Sequence, residues 1–535
     1  MPAIAVRNKK WILFLLVAAF LFMSLCTMTS YLFPLHSRVD QNIFFTIGRE
    51  LLNGKVLYRD LFDHKGPLIY FMHAFAAMIS ETTFIGVFLL EVLFFAVLMY
   101  YIYKIALLFA SKQNAACTAV LSGALIATAS CFKRGDNAEE FCLTFFAVSL
   151  FYLLRYFKER ENHTGTSDGP VCMRYRLILF NGLLAGCVLW IKFTLLGFWI
   201  VWMAAVFFIC CMQKQYARGV ISCLVFLGGM LITAIPWFLY FWRCDAVAVW
   251  LQTYFYANIF QYTAEADLTQ RLLVLIERVG YDLAVNPLLW FTILWGIAKF
   301  SFTKQYFRLK IHRIVFAVSF FFSYFILYIG GVGYDYYMLI VAVFTMFGIS
   351  DIWERIQKRR KNAGIPAEGA AAGRKAEKRF LLFFAAVICG IALLSNCLPY
   401  YGKSRQDYPQ YLFAEEMQKS ENPTLLNYGF IDQGFYFAAG IRPINQFFCK
   451  VNIPRSGLPE MYEEQETLVQ RREVEFVVVR MNKGEDFSTL LHAEKYTASP
   501  YQVDYTLLPA GYEVVRYGED PFENYKFALL RRTDR

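Results

Sequence analysis

Residues 11–33 read WILFLLVAAFLFMSLCTMTSYLF, and residues 36–67 follow as HSRVDQNIFFTIGRELLNGKVLYRDLFDHKGP. The first stretch carries no charge and is long enough to cross a hydrocarbon core of roughly 30 Å as one helix. The second is polar and holds Asp40, Asp60, Asp63, His64 and Lys65. Arg7, Lys9 and Lys10 precede the span and, by the positive-inside rule, set the N-terminus in the cytoplasm. The polar loop is therefore expected outside. The apolar run is too long for a signal peptide's and shows no small-residue cleavage site, so it is read as retained.

Outward from this span the pattern repeats. The chain is 58% hydrophobic and only 18% charged, and further apolar runs fall near 84–110, 115–132, 138–157, 175–191, 193–212, 218–241, 284–302, 314–331, 335–350 and 380–399. In hydrocarbon every backbone group must be satisfied internally, so each run is expected as a helix. About eleven spans put the C-terminal region outside the cytoplasm of a cell membrane. The loops this places inside are basic: Lys158, Arg160, Arg174 and Arg176; Lys214 and Arg218; Lys304, Arg308, Lys310 and Arg313; and KRRK at 358–361 with RKAEKR at 374–379. From Tyr400 onward 16 basic residues face 20 acidic ones, so the net charge of +11 resolves into −4 there and +15 on the rest. The positive charge is a topology signal and not a nucleic-acid footprint. The 13 cysteines show neither disulfide nor metal-ligand spacing.

Two segments read as helices lying on the membrane surface: Asp40 to Gly54, with Ile43, Phe44, Ile47, Leu51 and Leu52 on helical spacing, and Ala264 to Gly280, with Leu268, Leu272, Leu275 and Ile276. Pro67 to Ile79 is apolar but short, hence re-entrant or superficial. Residues 361–373, KNAGIPAEGAAAG, read as a flexible inner linker. Beyond Tyr400 the composition turns globular. TLLNYGF (424–430) and EFVVVR (475–480) read as strands, and GYEVVRYG with NYKFALLRR as a terminal hairpin. The expected architecture is an all-α polytopic membrane domain over 1–399, its first outer loop at 34–66, and a small extracytoplasmic α/β domain over 400–535. No internal repeat is visible.

The unusual polar residues collect on the outer side. These are Asp40 and the DLFDHKGP segment, KRGDNAEE at 133–140, Lys192 in a short turn, and Asp335 in GGVGYDYY at 330–337. Charged groups at a membrane are costly enough to make function the working reading. Each also has a structural reading. Asp40 can cap the helix that follows. Asp136 or Asn137, with Glu139 or Glu140, fits a helix cap with acids at its positive end. Lys192 can snorkel to the interface, His64 can be a hydrogen-bonding loop residue, and Asp335 can cap a loop.

Three stretches together resemble the type-C (GT-C) membrane glycosyltransferases. GKVLYRDLFDHKGPLIYF (54–71) after Asp40 is similar to the first outer loop of bacterial relatives of protein O-mannosyltransferases and of the lipid A aminoarabinose transferase. GDNAEEFCLTFFAVSLFYLL (135–154) and GLLAGCVLWIKFTLLG (182–197) resemble that superfamily's third-to-sixth-span region, and the likeness covers roughly the first 350 residues. The chain departs from the pattern at Asp335, before Tyr336 and Tyr337, where relatives often carry a histidine.

The resemblance implies a sugar donor linked to a polyprenyl phosphate, an acceptor outside the cytoplasm (a cell-envelope glycan, lipid or protein), and contact with membrane lipids. The residues fit that chemistry. A lipid phosphate leaves without a general acid but needs cations, which Lys65, Arg134 and Lys192 supply. The acceptor hydroxyl needs a base, and Asp40 is the candidate. One carboxylate acting in one displacement inverts the anomeric centre, whereas glycosidases need a carboxylate pair. Asp60, Asp63, His64, Asp136, Asn137, Glu139 and Asp335 are expected to bind substrate or support the site. No cofactor is indicated by the residues; superfamily members differ in their use of divalent metal, which stays open here, and no clear ligand set stands out. Tyr58, Tyr70, Tyr334 and Tyr336 are candidates for stacking on sugar rings. Two other readings are a transporter or flippase of lipid-linked sugars, and a catalytically silent binding protein. Transporters commonly show repeats and midplane sites, which this pattern lacks.

Overall fold

The computed structural model describes residues 5–163, 171–261, 267–362, 373–485 and 502–533. Its helices are α1 (Ala5–Cys26), α2 (Val39–Leu52), α3 (Pro67–Ala77), α4 (Ile85–Ala106), α5 (Lys112–Thr128), α6 (Ala138–His163), α7 (Tyr175–Lys192), α8 (Gly197–Met212), α9 (Tyr216–Arg243), α10 (Val247–Leu251), α11 (Leu268–Val285), α12 (Pro287–Phe302), α13 (Lys310–Tyr328), α14 (Thr345–Asn362) and α15 (Gly373–Leu394). A π-helical stretch, Gln252–Gln261, continues α10, and a 3₁₀ stretch, Tyr337–Phe344, leads into α14. Then come α16 (Pro409–Met417), β1 (Leu425–Tyr428), α17 (Phe435–Ala439), α18 (Pro459–Gln470), β2 (Phe476–Asn482), β3 (Tyr512–Glu519) and β4 (Tyr525–Arg532). Most of the linker expected at 361–373 lies outside the described residues, as does the start of the helix expected from Ala264.

Every expected span contains a helix, and the chain is a multi-pass membrane protein with a small C-terminal sheet. By length and hydropathy six segments qualify as spans, or seven if the bent pair of α11 and α12 is one. The expected eleven is not reached on that measure: Trp11–Cys26 and Arg379–Leu394 are apolar but shorter, and α5 has 17 residues. One of the six, Tyr175–Met212, contains a reversal. Gln213, just after α8, donates to the Val171 carbonyl just before α7 at 3.1 Å. A straight helix of 38 residues would hold its ends about 57 Å apart. Here the chain turns back at Lys192, whose backbone is extended (φ −158°, ψ 100°). The stretch is two passes.

Packing divides the chain into two compact units. One comprises Met1–Thr27, Phe88–Pro236 and Ala266–Leu398; the other comprises Met28–Val87, Trp237–Glu265 and Pro399–Arg535. In the first unit helices approach closely wherever a side chain is missing. A Cβ on Gly229 of α9 would lie 2.5 Å from the Leu179 carbonyl of α7, and one on Gly348 of α14 would lie 1.9 Å from the Thr292 carbonyl of α12. Small residues at such crossings let backbones meet in the absence of a hydrophobic drive between helices. Helix α9 leaves Leu224, Leu227, Leu231, Ile235 and Phe238 exposed, a face suited to lipid. Helix α11 leaves Leu268, Leu272, Leu273 and Ile276 exposed and bends 110° against α12, as a helix lying along a membrane surface would.

In the second unit α2 departs from expectation. It does not present an apolar face alone: Gln41 to Glu50 are all buried. Gly48 lets it close on α3, since a Cβ there would lie 2.6 Å from the Ala74 amide nitrogen. Buried Arg49 then donates from Nη2 to the Ile441 carbonyl at 2.7 Å, and Tyr411 donates to the Pro34 carbonyl at 2.6 Å. The C-terminal segment thus packs onto the first loop within one unit.

Its sheet runs β1-β2-β4-β3, with β1 parallel to β2 (Leu425 opposite Phe476) and the other pairs antiparallel. The strands and terminal hairpin fall where alternation and apolar runs put them. Val477, Val479, Met481, Ala528 and Leu530 form the core on one face with Met461, Tyr462 and Val469 of α18.

Just past β1, Asp432 Oδ1 accepts from Asn427 Nδ2 at 2.6 Å and from the amides of Gly434 and Phe435, while its buried Oδ2 finds no hydrogen-bond partner among the described residues. Burial raises this carboxyl to about 6 despite those three donors. An acid raised in the folded state contributes stability that is complete below its unfolded value near 3.9 and lost as pH rises through about 6. Asp432→Asn should therefore gain on wild type, by about 1–1.5 kcal/mol, as the pH of thermal unfolding is moved from 5 to 8. Parallel pH profiles for the two proteins would contradict this.

Candidate functional site

The second unit holds Asp40 and Lys65 together. Asp40 is the second residue of α2 and Arg38 occupies the cap position, so Asp40 is not the cap residue but an acid in the helix's first turn. Its carboxylate is 28% exposed and lies 3.8 Å from Lys65 Nζ. Lys65 Nζ also meets His64 Nε2 at 3.4 Å, His64 Nδ1 lies 3.2 Å from Asp63 Oδ1, and Tyr70 donates to Asp63 Oδ2 at 2.6 Å. Tyr70, Asp63, His64, Lys65 and Asp40 thus form one line of contacts from the buried interior to a half-exposed carboxylate.

Electrostatics fixes the charges along that line. Burial alone would raise Asp63, but contact with His64, the charge of Lys65 and the Tyr70 hydroxyl outweigh it and hold the carboxyl well below the usual range. Burial, followed by the Lys65 charge, lowers His64 despite its Asp63 neighbour. A neutral ring with its proton on Nδ1 faces Asp63 and leaves Nε2 to accept from Lys65.

The loop is tied down by its backbone. Tyr58 donates to the Lys65 carbonyl at 2.6 Å, Tyr70 accepts from the Lys65 amide at 3.1 Å, and Asn258 donates to the His64 carbonyl at 2.6 Å. Gln446 donates to the Tyr58 carbonyl at 2.8 Å. Tyr58 and Tyr70 are fully buried in this role, so stacking on a sugar is not open to them as first expected. Asp60 also turns out to be structural. It accepts from the Val56 amide at 2.7 Å and from Arg59 at 2.8 and 3.0 Å, which closes a turn.

The first unit carries the remaining candidates. Lys133, Arg134, Gly135 and Asp136 all have positive φ, at 50°, 72°, 85° and 54°. Left-handed backbone costs a non-glycine residue about 1–2 kcal/mol, so three such residues within four positions need support from their surroundings. That support is Glu91, fully buried in α4, which accepts from the Asp136 amide at 2.7 Å and from Thr27 Oγ1 at 2.9 Å. Asn137 donates to the Phe132 carbonyl at 2.7 Å. Gly135 is required outright, because a Cβ there would lie 2.2 Å from Thr27 Oγ1 and 2.4 Å from Glu91 Oε1.

Lys133 pairs with Asp335 at 2.6 Å, and Asp335 also meets Arg278 at 3.4 Å and the Tyr281 hydroxyl at 3.1 Å. Burial would raise Asp335, but Lys133, Tyr281 and Arg278 outweigh it and hold the carboxyl low. Asp335 is therefore an ion-pair hub. At the turn between α7 and α8, Lys192 donates to Glu139 at 2.6 Å and sits 3.7 Å from the centre of the Tyr337 ring. Tyr334 and Tyr336, half-exposed, stack on each other at 5.6 Å.

The structure thus gathers Asp40, Asp63, His64 and Lys65 in one unit, and Arg134, Asp136, Asn137, Glu139, Lys192 and Asp335 in the other. Glu91 escaped the sequence reading. Its only signal is a single acid inside the apolar run 85–106, where an ionisable residue merits attention. Among the described residues no three His, Cys, Asp or Glu side chains converge as a metal-binding group.

Residues 3–401 match the family described as "Putative competence-induced protein Ccs4 N-terminal domain". The chain belongs to this family. No curated protein sequence matches it significantly. Among solved structures, ArnT from Cupriavidus metallidurans in its apo state is similar at a TM-score of 0.56 and 13% identity over 98% of both chains. The same protein bound to undecaprenyl phosphate gives 0.56 and 12%, again over 98% of both. The oligosaccharyltransferase AglB from Archaeoglobus fulgidus gives 0.45 and 13% over 98% of this chain and 75% of its own. The ArnT likeness establishes the fold this Ccs4-family chain shares with it.

Proposed function

We propose that this Ccs4-family protein is a membrane glycosyltransferase that moves a sugar from a polyprenyl-phosphate donor to an acceptor outside the cytoplasm, inverting the anomeric centre. The observation that carries the reading is the Lys65 ammonium held between half-exposed Asp40 and neutral His64. Without donor, Lys65 neutralises Asp40. A donor phosphate competes for that ammonium and frees the carboxylate. The acceptor oxygen then attacks C1 as the C1–O bond to phosphate breaks, its proton passes to Asp40, and polyprenyl phosphate leaves with its charge on Lys65. Asp63 and His64 keep the ammonium in place. That a protein of the same fold binds undecaprenyl phosphate supports the donor class, and the basic alternate loops support a cell-membrane placement with the N-terminus inside and the C-terminal domain outside.

Arg134 and Lys192 stay in the proposal as alternative cations for the donor phosphate, and Asp136, Asn137, Glu139 and Asp335 as the groups that hold them. The test is release of label from a panel of radiolabelled polyprenyl-phosphate sugars in proteoliposomes. Release to an acceptor by wild type names the sugar. Donor crossing the bilayer without release from any donor would replace the transferase by a flippase.

The line of contacts also predicts a pH profile. Protonating His64 would end its acceptance from Lys65, but burial and the Lys65 charge hold the ring below its usual value of 6.5. Transfer should stay level as pH falls to that value and decline only below it. An acid limb centred above it would remove His64 from the mechanism.

A further inference from the structure

Where the chain leaves α1 and where it enters α4, the second unit holds a cavity of about 550 Å³. Its walls are residues 29–34, residues 82–85, and Lys403 with Arg405 of the C-terminal segment. The volume lies within the range of sites for small molecules, roughly 300–1,000 Å³. Thr29 follows the end of α1 by three residues and Ile85 opens α4. The cavity therefore sits at the level where two spans give way to loops. Its aromatic walls are packed from behind: Phe33 stacks on Tyr401 at 5.6 Å, and Phe84 packs on Phe45 and on Phe437, each at 4.7 Å.

Two cations line the cavity, and none of the described residues lining it is acidic. The Arg405 guanidinium lies 5.1 Å from the centre of the Tyr411 ring, and the Tyr411 hydroxyl donates to the carbonyl of Pro34, in the cavity wall, at 2.6 Å. Among the described residues no carboxylate pairs with Arg405. Lys403 Nζ lies 4.0 Å from Asp407 Oδ1, while Asp407 Oδ2 accepts from the Ser404 amide at 2.7 Å and from its hydroxyl at 3.0 Å. A solvated ion pair that long is worth little, so both cations can take a further partner. A guanidinium fork meets a phosphate with two parallel hydrogen bonds, and an ammonium serves beside it as a point charge. Thr82 adds a hydroxyl to the same wall.

The rim separates a lipid from a soluble anion. Tyr31 and Leu32 line the cavity yet are 60% and 40% exposed. An exposed tyrosine and leucine at the end of a span suit the boundary between headgroups and acyl chains, and a soluble phosphate would leave them in water. An ammonium-bearing headgroup would meet no carboxylate in the wall, so a lipid of net negative charge fits better than a zwitterionic one.

We propose that Lys403 and Arg405 make this cavity a binding site for the phosphodiester headgroup of an anionic phospholipid. The site shares no residue with the Asp40 and Lys65 cluster and does not depend on the transfer reaction.

The test uses the full-length protein in neutral maltoside micelles, which carry no surface charge of their own. Lysines are acetylated with limiting acetic anhydride, and modification of Lys403 is read by peptide mass spectrometry. A few equivalents of phosphatidylglycerol should slow acetylation of Lys403 several-fold, leaving Lys419 unchanged, while the same amount of phosphatidylcholine or of glycerol phosphate should not. Arg405→Gln should abolish the protection, and so should Thr82→Glu, which keeps both cations and supplies an internal carboxylate. Because the comparison of lipids is made on wild type, misfolding of a variant cannot mask the answer. Equal acetylation of Lys403 with phosphatidylglycerol and with phosphatidylcholine overturns the site, as does protection that survives Arg405→Gln in a folded protein. Equal protection by glycerol phosphate overturns the lipid and makes the ligand a soluble phosphate.

Discussion

Asp40→Asn is expected to lower sugar transfer by at least about 100-fold, the usual scale for loss of a general base, while the protein still inserts and binds donor. The substitution keeps the shape and removes the proton acceptor. It is expected to leave the fold largely alone, because the cap position of α2 is Arg38 and Asp40 is partly exposed in the helix's first turn. The structural debits are the Asp40–Lys65 ion pair at 3.8 Å and a favourable charge at a helix N-terminus, about 0.3–1 kcal/mol. Lys65 retains His64 as a partner, so its ammonium stays in the site to meet a phosphate. Rate and binding should therefore separate: a large fall in kcat with donor affinity near or above that of wild type. The measurement is release of label from the donor alongside equilibrium binding of the same donor in proteoliposomes. Turnover close to wild type would sink the assignment of Asp40, and equal loss of turnover and binding would make Asp40 part of the donor site.

Much of the fold was legible because it follows from local rules. A run of about twenty apolar residues has no choice but to be helical in hydrocarbon, and EFVVVR or NYKFALLRR declares a strand by its alternation and β-branched content. Span count is harder. The hydropathy of 175–212 is continuous across the reversal at Lys192, and only the contact between Gln213 and Val171, 42 residues apart, shows that the chain has turned. The ionisable residues of the candidate site stand out in the sequence, but their partners do not. Asp60 and Asp63 look alike three positions apart, yet one closes a turn with the Val56 amide while the other backs His64. Tyr58 and Tyr70 read as exposed aromatics because a loop sequence does not reveal that its own backbone will fold over them. Glu91 is averaged away by its apolar neighbours. Its partner, the amide of Asp136, lies 45 residues on, in a backbone conformation that no residue type but Gly135 announces.

Lys192→Met is expected to destabilise the protein strongly, and the reason bears on what Lys192 does. Glu139, at 1% exposure, faces the Lys192 ammonium, itself 12% exposed. Removing one partner of a buried pair strands the other charge, at about 3–5 kcal/mol; the Tyr337 ring contact adds about 2 kcal/mol where it is desolvated. The N-terminal turn of α6 offsets a fraction of this for Glu139. Loss of activity in the single variant would therefore say nothing about phosphate. Lys192→Met combined with Glu139→Gln removes both charges and should recover most of the thermal stability in detergent, because neither charge is then left alone. The double variant decides between the roles. If Lys192 grips the donor phosphate, the refolded protein should still show a KM for donor raised by ten-fold or more, about 1.4 kcal/mol, with Lys192→Arg recovering part of it. If transfer returns to the wild-type level with stability, Lys192 and Glu139 form a structural clasp at the turn between α7 and α8, and Arg134 or Lys65 is left to meet the phosphate.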